Sequence, residues 1–398
     1  MAKKQRVLIV GGGFAGVKAA LELCEDDRFS VTLLDDDFEL RYYPTLFHTA
    51  TGGKRCNSSI PFATIFNKKP INIVQGEAIN LDRRNKTIHT ADGKSYEYDA
   101  LILALGVVTN YFGIPGLAEY SYSIKSQSEV ARFKAHLHQQ LIDERKPDLR
   151  YVIVGAGPTG IELAGALPNY LKQIIKRHGL PRRKIHIDLI EAAPRLLPRS
   201  SKGTSKAVRR QLRRLNIRLY LNSVVKGQTA NELNVSGRPI RSHTVVWTAG
   251  VTNHPFFTAN NFALMGRGKV AVDVYLQTDP DIFVLGDNAN TPYSGLAQTA
   301  LRDGEFVANN LKRRASGKDF KSYNPKKPVS VIPAGPHWAA VDWGKFRFHG
   351  FFGYLIRQAA EFVGFHDLEP WRGAAKQWYT GFSYDDDCDV CSTNTPSN

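Results

Sequence analysis

Two glycine turns of the same spacing, each read directly out of an apolar strand, constrain this chain more than any other feature. Arg6-Val-Leu-Ile-Val10 runs into Gly11-Gly-Gly13-Phe-Ala-Gly16, and Tyr151-Val-Ile-Val154 runs into Gly155-Ala-Gly157-Pro-Thr-Gly160. In the G-x-G-x-x-G spacing the first Gly makes a tight turn and the second lets the backbone approach a pyrophosphate. The third lets helix and strand pack closely. The helix that opens after each turn points its free N–H groups and positive dipole end at the phosphates. That puts Phe14 and Ala15, and likewise Pro158 and Thr159, in the expected contact sets. One such match is weak; two, each between a strand and a helical pattern, predict two dinucleotides on one chain and electrons passed between them.

The end of each following strand supplies a check. Ser30-Val-Thr-Leu-Leu34 ends in Asp35 and Asp36, and Lys184-Ile-His-Ile-Asp-Leu-Ile190 ends in Glu191. An acidic residue there accepts from a ribose hydroxyl, although a carboxylate at a strand end is also simply well solvated. The second interval is longer than usual, and Asn169 to Arg183 reads as an extended helix with a basic turn. Glu191 would repel a 2′-phosphate, which favours NADH over NADPH at the second site.

At 398 residues the chain has room for two or three domains with real cores. Its four cysteines make no disulfide framework, as expected in a reducing compartment. The first apolar run breaks at Gly11, so no secretory signal is expected. The longest apolar stretch, near Ala100 to Val108, is far too short to span a bilayer. Net charge is +16, and much of it lies between Arg195 and Arg218. There Val208, Leu212 and Leu215 recur at helical spacing in a run of Lys and Arg. A solvated basic helix face and attraction to anionic headgroups or to an anionic cofactor both fit this pattern. No nucleic-acid-binding pattern accompanies the charge.

Along the chain the pattern βα, β-rich, closing strand occurs twice. Asp99-Ala-Leu-Ile-Leu-Ala104 leads to Gly106, and Thr244-Val-Val-Trp-Thr-Ala249 leads to Gly250. Residues 71–98 alternate strand-like runs with turns such as Asp92-Gly93. Asp281-Ile-Phe-Val-Leu285 then delivers Gly286 and Asp287 at a strand's carboxyl end, where open α/β sheets bind ligands. The expected class is α/β, with two Rossmann-like dinucleotide domains, the second inserted in the first. The expected limits are 1–118 and 266–325 for the first domain and 119–265 for the second. An aromatic-rich region follows over 326–384, and then a disordered tail over 385–398.

These residues resemble the flavoprotein pyridine-nucleotide oxidoreductases, and most of all the type II NADH:quinone oxidoreductases. The resemblance runs from about Arg6 to Gly381. It rests on the two glycine turns, on Tyr43-Pro-Thr-Leu-Phe-His-Thr-Ala-Thr-Gly-Gly53 and on Leu103 to Gly116. Gly155 to Leu167, Leu285-Gly-Asp-Asn-Ala and Ala297-Gln298-Thr299-Ala300 complete it. It implies FAD held by Gly11, Gly13, Gly16 and Asp35, with Ala104 and Gly106 beside the flavin and Gly286 and Asp287 near the ribityl chain or pyrophosphate. NADH falls to Gly155, Gly157, Gly160 and Glu191, with Gly250 at the closing strand. Glu162 is implied beside the nicotinamide–flavin contact, and Ala297 and Gln298 near the flavin pyrimidine edge and a quinone entrance. No metal ligands are implied. The family's second glutamine is replaced here by Arg302, which either serves a quinone carbonyl in its place or marks another acceptor.

The implied protein is cytoplasmic and peripheral on the inner face of the cell membrane. Its quinone is met at an anionic membrane surface, and a homodimer through the C-terminal region is an open option. Trp338, Trp343, Trp371 and Trp378 fall in that region. From Phe348 the residues Phe348, Phe352, Leu355, Ala359 and Phe362 mark one helical face, with Arg347, Arg357 and Glu361 off it. Such a stripe is either core or an in-plane anchor. Two other readings stay open. One is a soluble disulfide or protein reductase using Cys388 and Cys391. The other is a flavin-bound protein whose redox state gates its binding to lipid or acidic partners.

Overall fold

The computed structural model describes residues 3–142 and 150–382. The tail with Cys388 and Cys391 lies outside the described residues. The chain forms two compact units. Among the described residues the first comprises 3–41, 59–108 and 251–328, and the second 42–58, 109–142, 150–250 and 329–382. The middle stretch of the second unit is therefore inserted in the first. The crossings fall at 108 and 250 rather than at the expected 118 and 265. Two further differences stand out: residues 42–58 fold with the second unit, and so do residues 329–382.

In the first unit a six-stranded sheet runs in the order Gln277–Asp279, Ile282–Val284, Ala100–Leu103, Gln5–Val10, Phe29–Asp35, Asn72–Gln75. All pairings are parallel except that of the Gln277–Asp279 edge strand. Residues 7–10 and Ala100–Leu103 are continuous runs of Val, Ile, Leu and Ala, as a sheet covered on both faces requires. Ile9, Leu33, Leu101 and Phe283 are fully buried. The Gln5–Val10 strand has later strands on both sides, so the chain order switches at its carboxyl end, where such sheets bind ligands. Helices Phe14–Cys24 and Ala297–Ala315 approach each other at Ala15 and Gly304. A Cβ on Gly304 would lie 2.3 Å from the Ala15 carbonyl oxygen.

The second unit repeats this plan on four parallel strands, in the order Arg218–Tyr220, His186–Ile190, Arg150–Val154, Thr244–Trp247. Helices Pro158–Arg177 and Lys202–Arg214 follow its first two strands in sequence. A three-stranded antiparallel sheet (Val225–Gln228, Glu232–Val235, Arg238–Arg241) precedes its closing strand. The C-terminal region adds the antiparallel strands Ser330–Pro333, Ala339–Trp343 and Phe346–Gly350, then helices Phe351–His366 and Trp371–Thr380. Ile332, Ala334 and Ala340 join the same apolar core as Leu163, Leu189 and Leu212.

One expectation for this region needs correcting. Phe348 belongs to a strand, and the helix starts at Phe351 after Gly350, whose φ of +88° suits glycine alone. The helix is also turned the opposite way from a soluble amphipathic helix. Phe351, Phe352, Leu355 and Val363 are exposed, whereas Arg357 is buried. Its guanidinium donates to the Pro44 carbonyl at 2.8 Å and pairs with Glu361 one turn on. Arg357 and Glu361, which lie off the apolar stripe, are the groups that hold the helix down.

Gly304→Ala tests the helix contact in the first unit. A helical alanine gains about 1 kcal/mol over glycine, but the collision is with backbone and costs about 1–3 kcal/mol. Thermal unfolding should therefore show a lowered Tm. Gly266→Ala, whose Cβ meets nothing within 4 Å, should leave Tm unchanged.

Candidate dinucleotide sites

Each glycine turn has the backbone its spacing predicts. Gly11 and Gly155 have φ of +103° and +104°, and a Cβ on either would strike the backbone of the closing strand's end. For Gly11 the nearest atom is the Ala104 carbonyl oxygen at 2.3 Å; for Gly155 it is Ala249 Cα at 2.6 Å. A Cβ on Gly16 or Gly160 would sit 1.9 Å from the carbonyl oxygen of Gly11 or Gly155. The middle glycines differ in kind. Gly13 has its nearest such neighbour at 4.0 Å, and Gly157 has none within 4 Å. Their missing side chains leave room for something outside the protein. Gly13 and Gly157 both stand at helix N-caps with no side-chain cap, so the first-turn N–H groups remain available to an anion. Pro158 at the first position of the second helix lacks an N–H. Phe14 and Ala15 are buried in the core, so only their backbone can serve a ligand.

The strand-end carboxylates pin both turns in the same way. Asp35 accepts from the backbone N–H of Gly12 and, at 2.9 Å, from that of Asp37. Glu191 accepts from Ala156 at 2.7 Å and from Ala193 at 2.8 Å. Burial pushes the Asp35 carboxyl up, against the pull of the Gly12 N–H, and neighbouring Asp36 adds to the rise. Asp36 itself is exposed and pairs with Arg41 at 3.3 Å. In the second unit the Thr248 hydroxyl donates to the Val154 carbonyl at 2.8 Å and also reaches that of Gly155, tying the strand end to the turn. Gly250 lies against Phe112 and the Asn110 carbonyl.

Sequence reasoning missed two buried groups in the first unit. The Asn288 amide accepts from the Gly106 N–H at 2.9 Å and donates to the Gly106 carbonyl at 2.5 Å and to Asn253 at 2.5 Å. The Asp303 carboxylate accepts from the Gly286 N–H at 3.0 Å and from the Tyr323 hydroxyl at 2.5 Å, and burial pushes it up to about 6. Together they fix Gly106 and Gly286, where φ is +70° and +63°. Asp287 is half-buried, and its carbonyl accepts from Lys269 at 3.0 Å. The Ala297–Ala315 helix starts uncapped, with Gln298 exposed. Arg302 donates to the Lys326 carbonyl at 2.9 Å, so in this structure it braces a loop.

In the second unit Glu162 is half-buried on the second turn of the Pro158–Arg177 helix. Burial raises its carboxyl to about 8; Arg357 opposes the rise and Glu361 adds to it. Around it residues 42–58 hold the C-terminal helices. The His48 ring, kept neutral by burial at about 4, donates to the Gly381 carbonyl at 2.9 Å. The Asn57 amide bonds both the carbonyl and the hydroxyl of Thr380. Tyr42 stacks on Phe365 at 4.4 Å. Cys24 is buried and Cys56 exposed. Among the described residues no group of three or more His, Cys, Asp or Glu is placed to hold a metal ion.

Comparison with known proteins agrees with this geometry. The signature of the pyridine nucleotide-disulphide oxidoreductase family matches residues 5–304. The type II NADH:quinone oxidoreductase of Staphylococcus epidermidis is 27% identical over 357 residues, covering 83% of this chain and 88% of that one. That of Staphylococcus aureus is 26% identical over 358 residues, covering 84% and 88%. Among solved structures, NDH2 from Plasmodium falciparum in complex with NADH superposes with a TM-score of 0.84 at 17% identity, over 96% and 98% of the two chains. The sulfide:quinone oxidoreductase from Aquifex aeolicus gives 0.75 at 19% identity, over 89% of each.

Two neighbouring glycines separate folding from binding. Gly160→Ala should unfold the second unit or sharply lower its Tm. Gly157→Ala should keep the wild-type Tm and weaken NADH binding at least about tenfold, or ~1.4 kcal/mol, by titration calorimetry.

Proposed function

The chain belongs to the pyridine nucleotide-disulphide oxidoreductase family, and on that footing we propose that it is a type II NADH:quinone oxidoreductase working at a membrane surface. The observation that carries this reading is the duplicated site: two glycine turns, each with an open middle position, an uncapped helix and a strand-end carboxylate. The residues present fit FAD on the first unit and NADH on the second. FAD, when bound, takes a hydride from NADH and yields two electrons to an acceptor. The protein's own part is to bind, orient and supply protons.

In the first unit Asp35 offers an acceptor to a ribose hydroxyl, while Asn288 and Asp303 hold Gly106 and Gly286 in the turns they make. The uncapped start of the Ala297–Ala315 helix, with Ala297 and Gln298, would offer its positive end to negative charge on a bound flavin. In the second unit the charge of Glu191 disfavours a 2′-phosphate, which supports NADH over NADPH. Glu162 keeps its proton at neutral pH and serves as the donor, with Arg357 setting how firmly it is held.

The C-terminal region supports a lipid-soluble quinone as the acceptor. A quinone dissolved in lipid calls for a protein that touches the bilayer without crossing it. No helix among the described residues is long and apolar enough to cross. Phe351, Phe352 and Leu355 on one helix, with Trp371 and Tyr379 on the next, expose more aromatic surface than water favours.

Three results test this reading. Purified protein carrying FAD should oxidise NADH with a short-chain quinone, and failure to reduce any quinone would reject the proposal. The acid form of Glu162 is present below about pH 8 and lost above it, so activity should show an alkaline limb there. Glu162→Gln should remove that limb and cut turnover about 10²-fold. Replacing Phe351, Phe352 and Leu355 with serine should leave Tm unchanged and abolish co-sedimentation with vesicles. At about 1.5–3 kcal/mol per apolar side chain, their loss removes most of the attraction.

A further inference from the structure

The strongest charged feature of the molecule plays no part in the chemistry above. Between Arg195 and Arg218 there are nine basic residues and no acidic one. Six of them lie on the thirteen-residue helix Lys202–Arg214, and all six are exposed. Lys202, Lys206, Arg209 and Arg213 form a single stripe at helical spacing, flanked by Arg210 and Arg214. Thr204, Ser205, Val208 and Leu212 are buried on the other side. No ion pair joins any of the six to a carboxylate among the described residues.

Such a helix works against itself. Lys202–Lys206, Lys206–Arg210, Arg209–Arg213 and Arg210–Arg214 are like charges four apart, each a repulsion. Lys202 also faces the positive end of the helix dipole, in a first turn with no acidic residue. An anionic surface laid against the stripe relieves both repulsions.

The neighbourhood says which anionic surface. The helix start is bolted to the C-terminal hairpin. Asp342 accepts from the Thr204 hydroxyl at 2.5 Å and from the Ser201 hydroxyl and N–H at 3.3 Å. The Arg347 guanidinium comes within 3.7 Å of the Cβ position of Gly203. On that hairpin Trp343 and Phe346 are 56% and 69% exposed. The exposed helix face from Phe351 continues the hairpin directly in the chain. A cationic stripe fixed to exposed aromatic side chains fits a bilayer bearing anionic phospholipids. A nucleic acid or an acidic protein would leave the aromatic part uncovered.

We propose that the Lys202–Arg214 helix is an electrostatic docking surface for anionic phospholipid headgroups, set beside the apolar C-terminal contact. The proposal rests on the membrane reading above and assigns the charge-dependent part of binding to this helix. The apolar face supplies attachment to any bilayer; the stripe makes attachment depend on lipid charge and on salt.

The test is co-sedimentation of the flavin-loaded protein with phosphatidylcholine vesicles, with or without about one third phosphatidylglycerol. Wild type is compared with a variant carrying Arg209→Gln, Arg210→Gln, Arg213→Gln and Arg214→Gln. Unchanged Tm and NADH:ferricyanide activity show that the variant is folded. The proposal expects wild type to bind phosphatidylglycerol vesicles at least about tenfold more strongly than neutral ones. The variant and high salt should both erase that difference while binding to neutral vesicles persists. Equal binding of wild type to both vesicles, or a variant that keeps the preference, overturns the proposal and leaves the membrane reading intact. Binding to neither vesicle overturns both, and retention on DNA without vesicle binding assigns the stripe to a polyanion instead.

Discussion

Both units depend on how closely a first helix can be drawn back onto its own strand. The turn leaves no room for a methyl carbon at Gly16 or Gly160, because the carbonyl of Gly11 or Gly155 occupies that space. The carboxylate at the end of the next strand holds the residue after the turn's first glycine. Asp35 and Glu191 accept from Gly12 and Ala156 respectively, and each reaches with its second oxygen to the residue two further on. The acidic strand end is therefore a fold element before it is a ligand contact. On the proposed reading the same group that shapes the turn also serves a ribose hydroxyl. That double duty explains why the two halves, so different in sequence, agree in this detail.

What could be read from the sequence was whatever is local along the chain. The glycine spacing, the strand before it and the carboxylate after it all lie within short windows, and their geometry follows from backbone sterics alone. Asn288 and Asp303 lie in ordinary-looking surroundings, and their partners Gly106 and Gly286 lie 182 and 17 residues away. Nothing in a single sequence pairs such groups, so the clamps on the first site were invisible. Arg302 shows the reverse: its position suggested a ligand contact, and folding gave it the Lys326 carbonyl.

The C-terminal helix shows a subtler limit. Its period was legible, since Phe352, Leu355, Ala359 and Phe362 do share one side. Which side faces the protein was not, because periodicity gives a direction without a sign. Burying Arg357 with Glu361 is costly unless every donor is used, and such a pair adds little net stability over an apolar substitute. The Pro44 carbonyl and Glu361 both engage Nη2 of Arg357, so the pair's contribution is to fix the helix in one rotation. Once it is fixed, the aromatic face has nowhere to go but outward.

This rotation links two properties that otherwise appear separate. One rigid helix carries Phe351, Phe352 and Leu355 on its outer side and Arg357 on its inner side, where Arg357 lowers the proton affinity of Glu162 against the stronger effect of burial. A load on the outer side that shifts the helix must also move the guanidinium. The Coulomb interaction at stake varies inversely with distance and is least screened where water is excluded. Residues 42–58 oppose such a shift, since Pro44 holds Arg357 while His48 and Asn57 hold the following helix at Gly381 and Thr380. The segment that leaves the first unit to join the second thus holds in place both the guanidinium that acts on Glu162 and the exposed face of the same helix.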